Sequence, residues 1–107
     1  MAFNGDEGKM IDAATAQKWI DNYQTKVNDP NATKSVFFGF RRLSELFGED
    51  GSMGIRVFFA IDDEGAQTVV LASCNAKQQT MAKLDGSSLS GLVLDFGIKC
   101  PPSCQEG

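Results

Sequence analysis

The sequence predicts an α+β domain, in which two N-terminal helices pack on a small antiparallel sheet with a central β-hairpin. Apolar residues recur at helical spacing before residue 48 and alternate between residues 54 and 61. A glycine-containing turn separates this alternating segment from a second apolar segment. The length of 107 residues corresponds to one domain, 1–107, that can bury a single core.

The first helix is predicted to follow a flexible lead-in of residues 1–10. Asp12 is a typical N-cap, because its side chain can accept a hydrogen bond from a backbone N–H of the first turn. Pro30 ends the helix, since the residue before a proline avoids the α region. The apolar residues between these points share one helical face and are Ala16, Trp19, Ile20, Tyr23 and Val27.

A short strand and a second helix are predicted next. The segment 35–38 is aromatic and β-branched, which favours a strand, and a helix that begins as early as Ser35 is the alternative. Gly39 separates this segment from an amphipathic pattern that runs from Phe40 to Phe47. Gly48 suits the C-terminal cap of this second helix.

The β-hairpin is predicted from residues 54–61 and 67–73, which flank a turn with Gly65 in position for a positive φ. Phe58 lies on the second face of the first strand, which suggests that both faces are covered. The residues that alternate onto the first face are Ile55, Val57, Phe59 and Ile61.

The C-terminal third contains one apolar segment and a tail with two cysteines. Residues 89–96 include the run Leu92-Val93-Leu94, which favours a last strand over a helical turn. The tail, residues 97–107, contains the sequence Cys100-Pro101-Pro102-Ser103-Cys104. We find no internal repeat and no interdomain linker in the sequence.

Composition disfavours several classes of function. The chain has no histidine, which removes Ser-His-Asp and Cys-His catalysis and His-ligated zinc. The net charge of −4 disfavours a nucleic-acid partner, because phosphate binding depends on Lys and Arg. We therefore expect a protein that is not an enzyme and that needs no cofactor. Acidic turns fit no calcium-loop register, and we expect no metal there.

Localisation is predicted from what the sequence lacks. The polar N-terminus does not resemble a signal peptide, and no apolar run approaches the roughly 20 residues that span a membrane. These features predict a cytoplasmic protein with no membrane span, and export by another route is the alternative.

The three cysteines are the reactive groups of the chain. Cys74 ends a predicted strand, where a lone cysteine is usually a small buried apolar residue. Cys100 and Cys104 flank two prolines, so a disulfide between them needs a tight turn, for which a cis Pro102 is suited. We favour a local disulfide or a pair that fixes the tail. A pair of soft-metal ligands and a docking tail with incidental thiols remain alternatives.

Three segments together resemble a family of short uncharacterised bacterial proteins. These segments are Ala16-Gln17-Lys18-Trp19-Ile20 with Tyr23, Gly54-Ile55-Arg56-Val57-Phe58-Phe59 with the Gly65 turn, and Asp95-Phe96-Gly97 before the cysteine tail. The resemblance covers most of the chain, and the Cys-Pro-Pro-x-Cys tail is its most specific element. It implies a shared layout and a role for the tail, and it transfers no catalytic residue.

The hypothesis that we favour is a structural or interaction protein that associates with itself into a homo-oligomer or filament. It depends on eight phenylalanines in a chain with one Trp and one Tyr, and on a short sheet whose edge can accept another strand. The apolar contacts are assigned to Phe37, Phe38 and Phe58, and the docking tail to Cys100, Pro101, Pro102 and Cys104.

Two other functions are carried as alternatives. The first is a small thiol or soft-metal module that uses Cys100 and Cys104. The second is an acidic inhibitor or immunity-type protein that binds a basic partner, and it rests on the acidic balance of the chain alone.

Overall fold

The computed structural model describes residues 2–82 and 92–104 and has an α+β fold, as the sequence predicts. Two helices and two small antiparallel sheets lie within these residues. Residues 89–91 of the predicted last strand lie outside the described residues. The elements in chain order are α1 (Ala13–Val27), β1 (Ser35–Phe37), α2 (Phe40–Phe47), β2 (Gly54–Ile61), β3 (Gln67–Cys74), β4 (Val93–Leu94) and β5 (Ile98–Cys100).

Helix α1 begins and ends where the sequence predicts. The Asp12 carboxylate accepts a hydrogen bond of 2.6 Å from the Thr15 N–H, which satisfies one of the free donors of the first turn. Asn28 adopts a left-handed conformation with φ 47° and caps the other end. No residue of α1 is buried, however. The apolar face of α1 is therefore largely exposed in the single chain.

The larger sheet has the strand order β2-β3-β4, so β3 is central and β2 is an edge strand. Strands β2 and β3 pair over their full length, from Gly54 opposite Cys74 to Ile61 opposite Gln67. Gly65 in the connecting turn has φ +84°, a conformation that glycine adopts without steric cost. The predicted β-hairpin is thus present, with β3 one residue longer than expected.

The second sheet joins β1 to β5 and ties the start of the tail to the domain. The sequence analysis assigned residues 98–100 to the tail and did not predict a strand there. Gly97 lets the chain approach β1 closely, because a Cβ at this position would lie 2.8 Å from the Phe37 carbonyl oxygen and 2.9 Å from the Phe38 ring. Such a distance to backbone is shorter than van der Waals contact, so this crossing requires glycine.

The core is thin. One buried hydrogen bond organises it: the Ser73 hydroxyl of β3 donates to the Leu46 carbonyl in the last turn of α2 at 2.7 Å. The same carbonyl also accepts the Glu49 N–H at 3.2 Å, so the end of the helix is bonded to both the chain that follows and the sheet. The buried apolar residues of the described chain are Leu46, Leu71, Ala72, Cys74, Ala82 and Cys100.

The chain exposes more surface than a monomer of its mass normally does. Its accessible surface is 8373 Å², whereas a folded monomer of 11.5 kDa is expected to expose about 5,800 Å². Its radius of gyration is 15.6 Å, compared with about 13 Å for a compact domain of this length. The single chain is therefore less compact than a typical domain of its size, and large apolar side chains such as Phe59 and Ile61 are exposed.

We predict that Gly97→Ala destabilises the pairing of β1 with β5. The added methyl group would collide with the Phe37 carbonyl, and overpacking of this kind typically costs about 1–3 kcal/mol. Urea unfolding followed by circular dichroism measures the change. Gly54→Ala is the matched control, because a Cβ at Gly54 meets no atom within 4 Å. Equal midpoints for the two variants would contradict the close approach at Gly97.

Candidate functional site

The candidate functional site lies on the outer edge of β2. The Asp62 N–H donates to the Ala66 carbonyl at 2.9 Å, just beyond the end of the strand. Because antiparallel pairs alternate in their hydrogen bonding, the even-numbered residues of β2 bond to β3 and the odd-numbered residues direct their N–H and C=O groups outward. No described backbone group pairs with this outer edge. The outward-directed residues are Ile55, Val57, Phe59 and Ile61.

Three of these odd-numbered residues expose apolar side chains, whereas Ile55 is half-buried. The exposed fraction is 52% for Val57, 82% for Phe59 and 71% for Ile61. The expectation that both faces of this strand are covered is therefore wrong for this face. We call the side chains of Val57, Phe59 and Ile61, together with the outward backbone groups of β2, the β2 surface.

A groove between α1 and the sheet continues from the β2 surface. It has a volume of about 470 Å³ and is lined by Trp19 and Tyr23 of α1 and by Phe59 and Val69 of the sheet, among others. The Tyr23 hydroxyl lies 3.2 Å from the Gln67 Oε1 atom, which links the helix to β3. Because Phe59 lines the groove and also belongs to the β2 surface, the two form one continuous apolar region.

No charged side chain of β2 itself lies on this face. Soluble proteins commonly prevent strand edges from pairing by placing charged residues or proline on them. Arg56 is the charged residue of β2, and it is on the opposite face, where its guanidinium lies 5.6 Å from the centre of the Phe3 ring. Phe3 in turn donates its N–H to the Ala76 carbonyl. The Arg56 guanidinium thus packs against Phe3 of the lead-in, and the side chains of the β2 surface are apolar.

Asp62 connects the end of this hairpin to the second sheet. One of its carboxylate oxygens accepts the Lys99 ammonium of β5 at 2.5 Å, and the other accepts the N–H groups of Glu64 and Ala66. The hydrogen bond from Lys99, followed by that from Ala66, lowers the pKa of Asp62. The same carboxylate raises the pKa of Lys99. This ion pair joins the β2–β3 turn to β5.

The three phenylalanines that the sequence analysis selected lie in two places. Phe37 and Phe38 belong to the region of β1, where Phe37 is 67% exposed and Phe38 is half-buried. Phe58 is half-buried on the second face of β2. Phe37 lies opposite Ile98 of β5, and both side chains are exposed. Sequence reasoning missed Phe59, which is more exposed than any of the three.

The cysteine tail forms the predicted local disulfide. Cys100 and Cys104 are bonded through their sulfurs, with 4.6 Å between their Cα atoms. The Cys100–Pro101 and Pro101–Pro102 peptide bonds are both cis, whereas the sequence suggested a cis bond before Pro102 alone. Cys100 is buried, Pro101 is half-buried, and Pro102 and Cys104 are exposed. Docking of this tail on a neighbouring copy stays a prediction.

The remaining cysteine has the predicted character of a small buried residue. Cys74 is buried at the end of β3, and its sulfur lies 3.9 Å from the Thr80 hydroxyl. In the part of the chain that the structure describes, no group of three or more potential metal ligands comes together. The helices within residues 2–82 and 92–104 are too short or too polar to cross a membrane.

We predict that Asp62→Asn lowers the free energy of unfolding near neutral pH and that this loss disappears in acid. The pKa of Asp62 is lowered by folding, so its charge stabilises the fold above the ordinary aspartate pKa, and this contribution is lost as the pH falls through the lowered value. Urea midpoints near pH 7 and near pH 2 measure the difference between variant and wild type. Asp63→Asn is the control at a neighbouring exposed carboxylate. A loss of equal size at both pH values would contradict the ion pair.

Comparison with known proteins gives no assignment for this chain. No protein-family model, no curated protein and no solved structure matches it. The features of the molecule that bear on function are the exposed groups of β2 and the thin core.

Proposed function

We propose that this protein is a non-enzymatic interaction protein that associates with copies of itself through the β2 surface. The observation that supports the proposal most directly is that exposed apolar side chains and outward backbone groups belong to the same residues of β2. Val57, Phe59 and Ile61 expose apolar side chains, and among the described residues the backbone groups of the same three have no partner on the outer edge. Another strand added to this edge would pair these backbone groups and would also contact these apolar side chains.

Burial of the apolar side chains of this surface favours association. Full burial of a large apolar side chain contributes about 1.5–3 kcal/mol, before the entropic cost of association is subtracted. Three such side chains stand together on the β2 surface, next to the apolar groove under α1. A new strand would also pair the outward N–H and C=O groups, which makes the association directional.

The excess surface of the chain is large enough for a specific interface. The accessible surface of 8373 Å² exceeds the value for a typical monomer of this mass by about 2,500 Å². A stable protein–protein interface buries about 1,600 Å² in total, shared between the two partners. The excess in total surface is thus larger than the area that each copy contributes to one such interface.

A second apolar patch supports assembly beyond a dimer. Phe37 and Ile98 face each other across β1 and β5, and both are exposed. They lie beside the disulfide tail, in which Pro102 is exposed. A chain with two separate self-association patches can form a larger homo-oligomer or a filament, whereas one patch that pairs with itself closes a dimer.

We predict that Phe59→Lys abolishes association through the β2 surface and so lowers the mass of the assembly. The exposed ring contributes little to the fold of a single chain, so the free energy of unfolding of the isolated chain should change by less than about 0.5 kcal/mol. Light scattering after size exclusion measures the mass of the wild type and the variant at the same concentrations. Phe96→Lys is the matched control, because Phe96 is also exposed and lies outside the β2 surface.

Two outcomes of that experiment would contradict the proposal. The first is a wild-type protein that remains a monomer of 11.5 kDa at every concentration. The second is a Phe59→Lys variant that assembles as the wild type does, with unchanged concentration dependence.

We further predict that opening the disulfide reduces large assemblies to dimers. Cys100 belongs to β5, so loss of its bond to Cys104 loosens the end of the strand that carries Ile98 opposite Phe37. The double variant Cys100→Ser and Cys104→Ser should keep the circular dichroism spectrum of the wild type and should still form dimers through β2. A size distribution identical to that of the wild type would show that the tail has no part in assembly.

A further inference from the structure

We infer that two copies pair through antiparallel β2 edges about a two-fold axis at Phe58. The inference rests on the proposed function and specifies the partner and the register of the same surface. In a two-fold pairing, if residue i of one copy lies opposite residue j of the other, then residue j of the first copy lies opposite residue i of the second. The outward backbone groups belong to four alternate residues from Ile55 to Ile61, so few registers can satisfy them.

The axis at Phe58 is the register that pairs all four outward residues with one another. It sets Ile55 opposite Ile61 and Val57 opposite Phe59, each in a hydrogen-bonded pair. An axis at Val57 would set Ile61 opposite Met53, whose N–H already donates to the Cys74 carbonyl at 2.8 Å. An axis at Phe59 would set Ile55 opposite Asp63, which lies in the turn beyond the strand. Both shifts leave outward groups unsatisfied.

The side chains are also complementary in this register. On the exposed face, Val57 meets Phe59 of the second copy, and aromatic pairs with β-branched residues stabilise antiparallel strands. On the opposite face, Phe58 meets Phe58 in a non-hydrogen-bonded pair, where the two Cα atoms are about 4.5 Å apart. Arg56 faces Ala60 and is diagonal to Asp62, so no like charges are directly opposed.

The pairing also extends the apolar surface that lies next to α1. Two three-stranded sheets would join through their β2 strands into one six-stranded sheet. Val57 of the second copy would then stand beside Phe59, which lines the groove under α1. The apolar floor available to Trp19 thus becomes wider in the dimer than in the single chain.

Cysteine cross-linking tests the register. Directly opposed residues of a non-hydrogen-bonded pair have Cβ atoms about 4.5–5.5 Å apart, close enough for a disulfide after small adjustments. Phe58→Cys should therefore form a covalent dimer in the presence of a mild oxidant. Ile61→Cys should not link to itself, because its two copies would be about 20 Å apart. The wild type, with its own cysteines, gives the background.

A mixture provides a second test that does not depend on the half-buried Phe58. Ile55→Cys and Ile61→Cys, made with tags of different mass, should link to each other, since these residues are opposed across the axis. Ile61 is exposed, so its replacement spares the fold.

The outcomes separate this inference from the proposed function. Dimers by light scattering, together with links in the Phe58→Cys sample and in the mixture, support the register. Dimers in which Ile61→Cys links to itself, while the mixture does not, overturn the register and leave self-association intact. A monomeric wild type overturns both.

Discussion

The pairing of β2 with β3 is the constraint on which the rest of the structure depends. It is the longest ladder of the described chain, and it occupies one edge of β2 completely. The even-numbered residues of β2 give their backbone groups to β3, and the odd-numbered residues are left to face outward. The turn that closes the ladder also holds Asp62, which binds Lys99 and so joins the second sheet to the first. The ladder thereby defines both the fold and the free edge.

The thin core explains why the free edge remains apolar. Among the described residues, Leu46 of α2 and Leu71 of β3 are the large apolar side chains that are buried. The Ser73 hydroxyl fixes α2 to β3, whereas α1 buries none of its residues. The free energy of unfolding of a domain is small. Apolar surface that stays exposed to water therefore represents a substantial amount of hydrophobic stabilisation that the single chain does not gain. A second copy would cover it without a larger domain.

Local signals predicted several elements from the sequence. The Asp12 cap, the pattern from Phe40 to Phe47 and the Gly65 turn each act within a few residues, and the structure has them at the predicted positions. Strand β5 was not predicted, because it forms by pairing with β1 more than sixty positions earlier in the chain. Its close approach at Gly97 gives no periodic signal in the sequence.

The sequence predicted the type of candidate site but not the residues that form it. An apolar, phenylalanine-rich surface with an open strand edge was expected, and the local disulfide of the tail was expected as well. Alternation places Val57, Phe59 and Ile61 on one face, but it cannot tell which element covers that face. Phe58 was selected as a contact and is half-buried, whereas Phe59 beside it is exposed. The difference depends on the distance of α1 from the sheet, which no short segment encodes.

Residue-resolved hydrogen exchange, measured across a dilution series, tests the central claim most directly. The amides of Phe58 and Ala60 bond to β3 within one chain, so they should be protected at every concentration. The amides of Val57, Phe59 and Ile61 should be protected at high concentration and should exchange rapidly on dilution. Rapid exchange of these three amides at all concentrations would contradict self-association through the β2 edge.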